Sequence, residues 1–565
     1  MSAGCTPYDR GVTGWNLADV FETIADATPD ALAQAHGERE YTWAEFDQRA
    51  DGVAAYLLDA GLVEQDKVVQ YLYNTPDYLE SLLAAFKAGL ATVNTNYRYG
   101  PDELVYLWDN CDAAAVVFHG TFAATIEPIL PRVPRVKVWL WVDDGSGACP
   151  EWATPYEPLT APGAATGRVH GPWGRSGDHL FMLYTGGTTG MPKGVMWRQD
   201  DVFGALNQTL STPYPDTPDH TELARRITER AGRRAGPKNV PAAPLMHGTG
   251  TFNALTCLML GGSVTTLTGR HFDAVELLDT IDRSRINSVA IVGDAFAKPM
   301  LRALDAEPDR WDISSLRVVM TSGVMCSAES KAGLLRHNPR LIVVDSLGSS
   351  EALSMATSTT TADTLGQDIP ASGGVTAQFQ LNAASRVVVE DADGWRDVVP
   401  GSGEHGRVAL RGRTPIGYYK DPAKTAATFV TIDGGRYSIP GDFAEVLADG
   451  TVRLYGRGSQ CINTGGEKVY PEEVEEALKV HPAVLDAAVV GLPDERFGEA
   501  ITALVEIDPE ADFDAGGLID HVKGRLARYK APKAVYRVPT IGRQVNGKLD
   551  YRALKRTAES LASAR

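Results

Sequence analysis

Apolar side chains recur at helical spacing over 16–27 and again over 43–60, and Gly61 follows the second run as a stop. The pattern then shortens. Lys67-Val68-Val69-Gln70-Tyr71-Leu72-Tyr73 reads as a strand, and 78–88 as a helix closed by Gly89. A further apolar run over 113–118 predicts a strand, after which 121–129 returns to helical spacing. Strands alternating with helices imply an α/β fold, a parallel sheet with crossover connections.

The texture changes at two places. The stretch 213–241 mixes Pro, Asp and Arg-Arg pairs around a polar helical piece, 222–231, and reads as a surface excursion. Near the C-terminus, Pro471-Glu472-Glu473-Val474 opens a helix with Pro at its first position and acids in its first turn. Strands over 485–490 and 501–507 and a helix over 516–526 complete a compact α+β unit. No internal repeat or coiled-coil heptad interrupts this order.

Composition bounds the picture. A chain of 565 residues exceeds one ordinary core and calls for two domains, one of them large. Hydrophobic residues at 44% and charged residues at 22% are globular usage. A net charge of −18 disfavours nucleic-acid polymers as partners. No run approaches the ~20 apolar residues that span a bilayer. Met1-Ser2-Ala3-Gly4-Cys5 does not open a secretory signal. The six cysteines are scattered, which points to reduced thiols in a cytoplasmic protein.

The sharpest local signal is Tyr184-Thr185-Gly186-Gly187-Thr188-Thr189-Gly190-Met191-Pro192-Lys193-Gly194, directly after the apolar run 180–183. Glycines let several backbone N–H groups face one anion, the threonines add hydroxyls, and Lys193 adds a compact positive charge. This composition suits phosphate. It is not a Walker A loop, because Pro192 and Gly194 flank the lysine where Gly and Ser/Thr are required.

The segment resembles the phosphate loop of the acyl-adenylate-forming (AMP-binding) superfamily, and further blocks of that family follow in order. Pro244-Leu245-Met246-His247-Gly248 is similar to its second block, and Asp345-Ser346-Leu347-Gly348-Ser349-Ser350-Glu351 stands where the family carries Tyr-Gly-x-Thr-Glu. Tyr437-Ser438-Ile439-Pro440-Gly441-Asp442 stands for Thr-Gly-Asp. Gly456-Arg457, then Gly465-Gly466-Glu467-Lys468-Val469-Tyr470-Pro471, and Asn546-Gly547-Lys548 complete the series.

The resemblance implies a large multi-sheet N-terminal domain, 1–458, and a small mobile α+β cap, 459–565, turning about a hinge at Ser459. It implies two steps: a carboxylate attacks the α-phosphorus of ATP, and a thiol, that of coenzyme A, then attacks the acyl-adenylate. Residue by residue, Lys548 would bridge carboxylate and α-phosphate, Glu351 would bind Mg²⁺, and His247 would lie near the acyl carboxylate. Thr185, Gly186, Gly187, Thr188, Thr189, Gly190 and Lys193 would hold phosphates. Gly323, Ser346, Leu347, Gly348 and Ser350 would lie around the adenylate, Asp442 and Arg457 at the ribose. Gly465, Gly466 and Lys468 would serve coenzyme A. Small-molecule acid, ATP and coenzyme A are the partners expected, without nucleic acid, and with homo-oligomerisation left open.

Several positions depart from the family pattern. Leu347 replaces an adenine-stacking aromatic residue, Pro440 replaces Thr, and Gly293-Asp294 follows the strand-like run 289–292 where relatives often have Pro-Thr. Together with Trp197-Arg198 these features resemble an actinobacterial group that activates very-long-chain or steroid side-chain acids. A bulky apolar acid is therefore the expected substrate. The alternative acceptor is a carrier-protein thiol, as in fatty acyl-AMP ligases. A non-catalytic binding module would be expected to lack Lys548 or Glu351, and a phosphoryl transferase would yield ADP rather than AMP.

Overall fold

The computed structural model describes residues 14–185, 192–233, 236–323, 326–365, 378–392, 394–457, 462–464, 467–494, 498–526, 528–543 and 549–563. Two large sheets and one small one organise them.

The first sheet has eight strands, with Leu180–Thr185 beside Ala91–Asn94, and Lys67–Tyr71 and Ala113–His119 beyond. These strands run parallel. At the other edge Lys193–Arg198 folds back antiparallel on Leu180–Thr185, and the short strand Gly417–Tyr418 pairs with it in turn. The second sheet begins with a parallel run that includes Lys238–Pro241, Ser288–Ile291, Val318–Thr321 and Ile342–Ser349. It turns antiparallel from Ala352–Thr360 onward, through Asp442–Val446 and Val452–Arg457. The third sheet, of five strands, carries Val484–Asp494, Gly498–Ile507 and Ala534–Arg537, with helices Pro471–Lys479, Ala515–Lys523 and Tyr551–Ser563. The α/β class and the small α+β C-terminal unit are thus as the sequence pattern predicts.

Element by element, the helix Leu17–Ala27 starts on an Asn16 cap that accepts from the Ala18 N–H, and Trp43–Asp59 starts on a capping box between Thr42 and Glu45. Two expectations need correction. The stretch 121–129 is not one helix. It breaks into short turns, Gly120–Phe122, Ala123–Ile126 and Glu127–Arg132, the last containing Pro128 and Pro131, whose rings and missing N–H groups prevent a continuous ladder. The 213–241 stretch is not a surface excursion either. Tyr214, Leu223 and Ile227 are buried in the main core, and Lys238–Pro241 is an interior strand between Ser263–Thr266 and Ser288–Ile291. The helix His220–Arg233 is polar only on its outer face, which masked its apolar stripe.

A buried charge cluster ties the core to the first sheet. The Lys87 ammonium is fully buried and lies 2.7 Å from Glu22, 2.7 Å from Asp47 and 2.9 Å from Asp51. Arg175 adds bonds of 2.7 Å to Glu22 and Asp19, and Asp51 accepts from the Val169 N–H at 2.8 Å. The cluster therefore pins three helices to the segment that leads into Leu180–Thr185. Burial pushes the Glu22 carboxyl up, but the Arg175 hydrogen bond and the Lys87 charge more than reverse this and hold it at about 2. Asp51 beside it is pushed up by burial. Glu22 is ionised more readily folded than unfolded, so its stabilisation is complete above its ordinary value of 4.5 and is lost as pH falls toward 2. In acid titrations of stability, Glu22→Gln is expected to flatten the slope between those limits; an unchanged slope would contradict this.

The C-terminal unit meets the rest through Tyr470, whose ring packs 5.3 Å from Tyr455, 5.8 Å from His405 and 6.0 Å from Phe443. Lys298 also donates to the Lys479 carbonyl at 3.3 Å. Cys111, Cys257 and Cys326 are buried and Cys149 is half-buried, all as free thiols. Cys5 and Cys461 lie outside the described residues. Among the described residues no helix is long and apolar enough to cross a membrane.

Candidate active site

In the hairpin Leu180–Thr185/Lys193–Arg198, Thr185 and Lys193 are cross-strand partners. The two strands thus form a ribbon that ends at the Thr185–Lys193 pair. Gly194 lets the ribbon close, since a Cβ there would come within 2.5 Å of the Tyr184 ring. The Lys193 ammonium is paired with the Asp421 carboxylate, whose other oxygen caps the helix Pro422–Thr428 by accepting from the Lys424 N–H at 2.9 Å. The hydrogen bond from Lys193 holds the Asp421 carboxyl below its usual range.

Direct hydrogen bonds join this hairpin to the other sequence blocks. Asn94, buried at the end of its strand, donates to the Tyr184 carbonyl at 3.0 Å and to the Met246 carbonyl at 2.7 Å, and accepts from the Tyr184 N–H at 2.6 Å. One side chain thus locks the strand Leu180–Thr185 to the block that contains His247. Asn74 ties the same block from the other side, donating to Pro241 and Ala243 carbonyls and accepting from the Leu245 N–H. His247 is the N-cap residue of the helix Gly248–Met259. Asn94→Ala is expected to strip partners from three buried backbone groups, at about 1–3 kcal/mol per unsatisfied group. A thermal-unfolding scan would register it, and an unchanged midpoint would refute the tie.

Trp197 of the hairpin donates its indole N–H to the Ser350 carbonyl at 2.8 Å. Ser438 donates to the Glu351 carbonyl at 2.7 Å, so the 345–351 and 437–442 blocks meet at Glu351. The Glu351 side chain is 8% exposed, and its Oε1 accepts from the Tyr418 hydroxyl at 2.7 Å. Gly348 admits a close approach of the returning strand, since a Cβ would lie 3.1 Å from the Ser354 nitrogen. Ser346 and Leu347 lie opposite Thr357 and Ala356, and Leu347 packs at the margin of an apolar cluster that includes Met355. Leu347 thus adds an aliphatic side chain to an apolar cluster that also holds the Phe379 ring. Gly323 follows the strand Val318–Thr321. Gly293 and Asp294 open the helix Gly293–Ala306, and Asp294 accepts from the Ser327 N–H at 2.9 Å. The Gly-Asp pair is thus a strand-to-helix junction.

Asp442 begins the strand Asp442–Val446 and is the cross-strand partner of Arg457, so the two proposed ribose residues lie side by side on the sheet. The Arg457 and Lys468 side chains lie outside the described residues, as do Gly186, Gly187, Thr188, Thr189, Gly190, Ser459, Gly465, Gly466 and Lys548. Asn74, Asn94, Tyr418 and Asp421 were missed from sequence. An asparagine closing the short strand Ala91–Asn94 was the available signal for Asn94.

The donor chemistry fits Mg²⁺. Glu351 offers a hard anionic oxygen, and no group of three or more His, Cys, Asp or Glu side chains among the described residues forms a protein cage. Mg²⁺ commonly takes one or two carboxylates with phosphate oxygens and water.

A two-sheet domain in which Trp197 of the hairpin and Ser438 converge on Ser350 and Glu351 of the 345–351 block is an adenylate-forming architecture. The chain belongs to the AMP-binding enzyme family: that family's model matches residues 21–419, and its AMP-binding enzyme C-terminal domain matches 473–548. The chain is 39% identical over 549 residues to a medium/long-chain-fatty-acid–CoA/3-oxocholest-4-en-26-oate–CoA ligase of Mycobacterium tuberculosis (strain ATCC 25618 / H37Rv), covering 96% of each. It is 39% identical over 551 residues to a 3-oxocholest-4-en-26-oate–CoA ligase of Rhodococcus rhodochrous, covering 96% of this chain and 95% of that one. A medium-chain acyl-CoA ligase, Mig, of Mycobacterium avium is 38% identical over 559 residues, covering 96% and 98%. Among solved structures, the anthranilate CoA ligase AuaEII with anthranoyl-AMP superposes with a TM-score of 0.80 at 21% identity, covering 98% of both chains. ATP-bound MatB from Rhodopseudomonas palustris gives 0.75 at 24%, covering 96% and 99%. These two likenesses speak to the fold.

Proposed function

We propose that the protein is an AMP-forming acyl-CoA ligase for a bulky apolar carboxylic acid, a medium- to long-chain fatty acid or a steroid side-chain acid. The carboxylate oxygen attacks the α-phosphorus of ATP, the α–β bridge breaks, and pyrophosphate leaves. The thiol of coenzyme A then attacks the acyl carbonyl, loses its proton, and AMP departs. The observation that carries the substrate class is the 39% identity, over 96% of the chain, to ligases named for fatty and cholestenoic acids.

The residues divide the work by chemistry. Lys193 and Thr185, with Gly186, Gly187, Thr188, Thr189 and Gly190, hold the β- and γ-phosphates, and Lys548 neutralises charge between carboxylate and α-phosphate. Asp442 and Arg457 hold the ribose, and His247 faces the acyl carboxylate. Gly323, Ser346, Leu347, Gly348 and Ser350 surround the adenine side. Gly465, Gly466 and Lys468 serve the coenzyme A step, after a turn of the 459–565 cap about Ser459. Mg²⁺ on Glu351 supplies charge neutralisation at the phosphates.

The test is turnover with ATP, Mg²⁺ and coenzyme A across acids running from medium-chain fatty acids to steroid side-chain acids. AMP, pyrophosphate and the acyl-CoA are the expected products, best with the bulky apolar acids. No CoA-dependent AMP release across the panel would sink the proposal.

A further inference from the structure

Glu351 does not stand alone. Its carbonyl accepts from Ser438, the preceding carbonyl accepts from Trp197, and its side-chain Oε1 accepts from the Tyr418 hydroxyl at 2.7 Å. Tyr418 is only 5% exposed and its backbone is fixed twice. It pairs with Val195 in the phosphate-loop hairpin, and its N–H donates to Thr425 at 2.9 Å. The phenol therefore reaches Glu351 from a strand that is itself built onto the strand carrying Lys193.

We propose that Tyr418 is a positioning residue for the metal ligand Glu351: it occupies one carboxylate oxygen and thereby aims the other at the metal–triphosphate. This rests on the ligase reading above, in which Glu351 holds Mg²⁺. A buried carboxylate with two rotatable oxygens has several ways to sit; one committed oxygen removes them before the metal arrives. Outer partners of metal-binding side chains act in this way, and their loss typically costs about 10–100-fold in metal affinity. The location adds a second consequence. Because Tyr418 and Lys193 lie on neighbouring strands, the metal ligand and the phosphate-holding cation are registered to one another through the sheet.

The test uses Tyr418→Phe in the full-length protein, with Mn²⁺ as the spectroscopic stand-in for Mg²⁺. Mn²⁺ binding is followed by electron paramagnetic resonance with α,β-methylene-ATP present, alongside metal-free binding of AMP. The expected result is about tenfold weaker Mn²⁺ binding with AMP binding unchanged. Unchanged Mn²⁺ affinity, or an equal loss of AMP binding, would overturn the role. Glu351→Gln keeps an acceptor for the phenol and removes the anionic ligand. Adding Tyr418→Phe to it should cost nothing further in Mn²⁺ binding, and additive losses would refute the coupling. If the unaltered protein binds neither nucleotide, the ligase reading fails first, a result distinct from either outcome above.

Discussion

Lys548→Ala is expected to slow acyl-adenylate formation by about 10²–10³-fold, the size usual for removing one charge-stabilising group from a transition state. It is expected to leave thioester formation from supplied acyl-AMP within a few-fold of the unaltered rate. The reason is electrostatic. In the first step two anions, a carboxylate and a triphosphate, must come within bonding distance, and charge grows on the α-phosphate as they do. A positioned ammonium between them acts at that moment. In the second step the acyl group is already activated and the approaching thiol needs no such bridge. Pyrophosphate release and thioester formation, assayed separately, give the two rates. Equal loss of both half-reactions would remove Lys548 from the assigned role.

The second large effect concerns folding. Lys87→Met should destabilise the protein by about 3–5 kcal/mol, because it removes the cation from three carboxylates packed within 2.9 Å of it. Met fills a similar volume, so packing is largely kept and the loss reports on charge. Glu22, Asp47 and Asp51 are all at least nine-tenths buried at their side chains, where uncompensated negative charge has little water to turn to. Arg175 still reaches Glu22 and Arg168 still reaches Asp47 at 3.3 Å, so Asp51, which keeps only the Val169 N–H, bears most of the cost. The cluster also anchors the approach to Leu180–Thr185, so ATP binding should weaken along with the denaturant midpoint. A loss of unfolding free energy below about 1 kcal/mol would show that water or protons replace the lysine.

Much of this was legible in the chain because the relevant signals are local. The helix at 17–27 declares itself through Asn16 and its apolar spacing, and the helix at 471–479 through Pro471 and the acids of its first turn. The 213–241 stretch was misread for a reason equally physical. Its Arg and Glu side chains dominate by number, while Leu223 and Ile227, on one face, decide where the helix sits. The strand Lys238–Pro241 is too short to show a period of two. The links that assemble the site are harder still. Asn94 joins positions 90 and 152 residues away, and Tyr418 meets Glu351 across 67 residues. No window of sequence contains such pairs; the topology alone brings them together.

The ring contacts of Tyr470 bear on timing. Were the C-terminal unit to turn about Ser459 as the family resemblance implies, this tyrosine would have to leave Tyr455, His405 and Phe443. Aromatic pairs contribute about 0.5–1.5 kcal/mol each beyond simple burial, so the seated position is a detent with a measurable depth. With such a detent, a turning cap would dwell in one half of the cycle by default. Its throughput would then be set partly by how often three rings let go of a fourth, far from any atom that reacts.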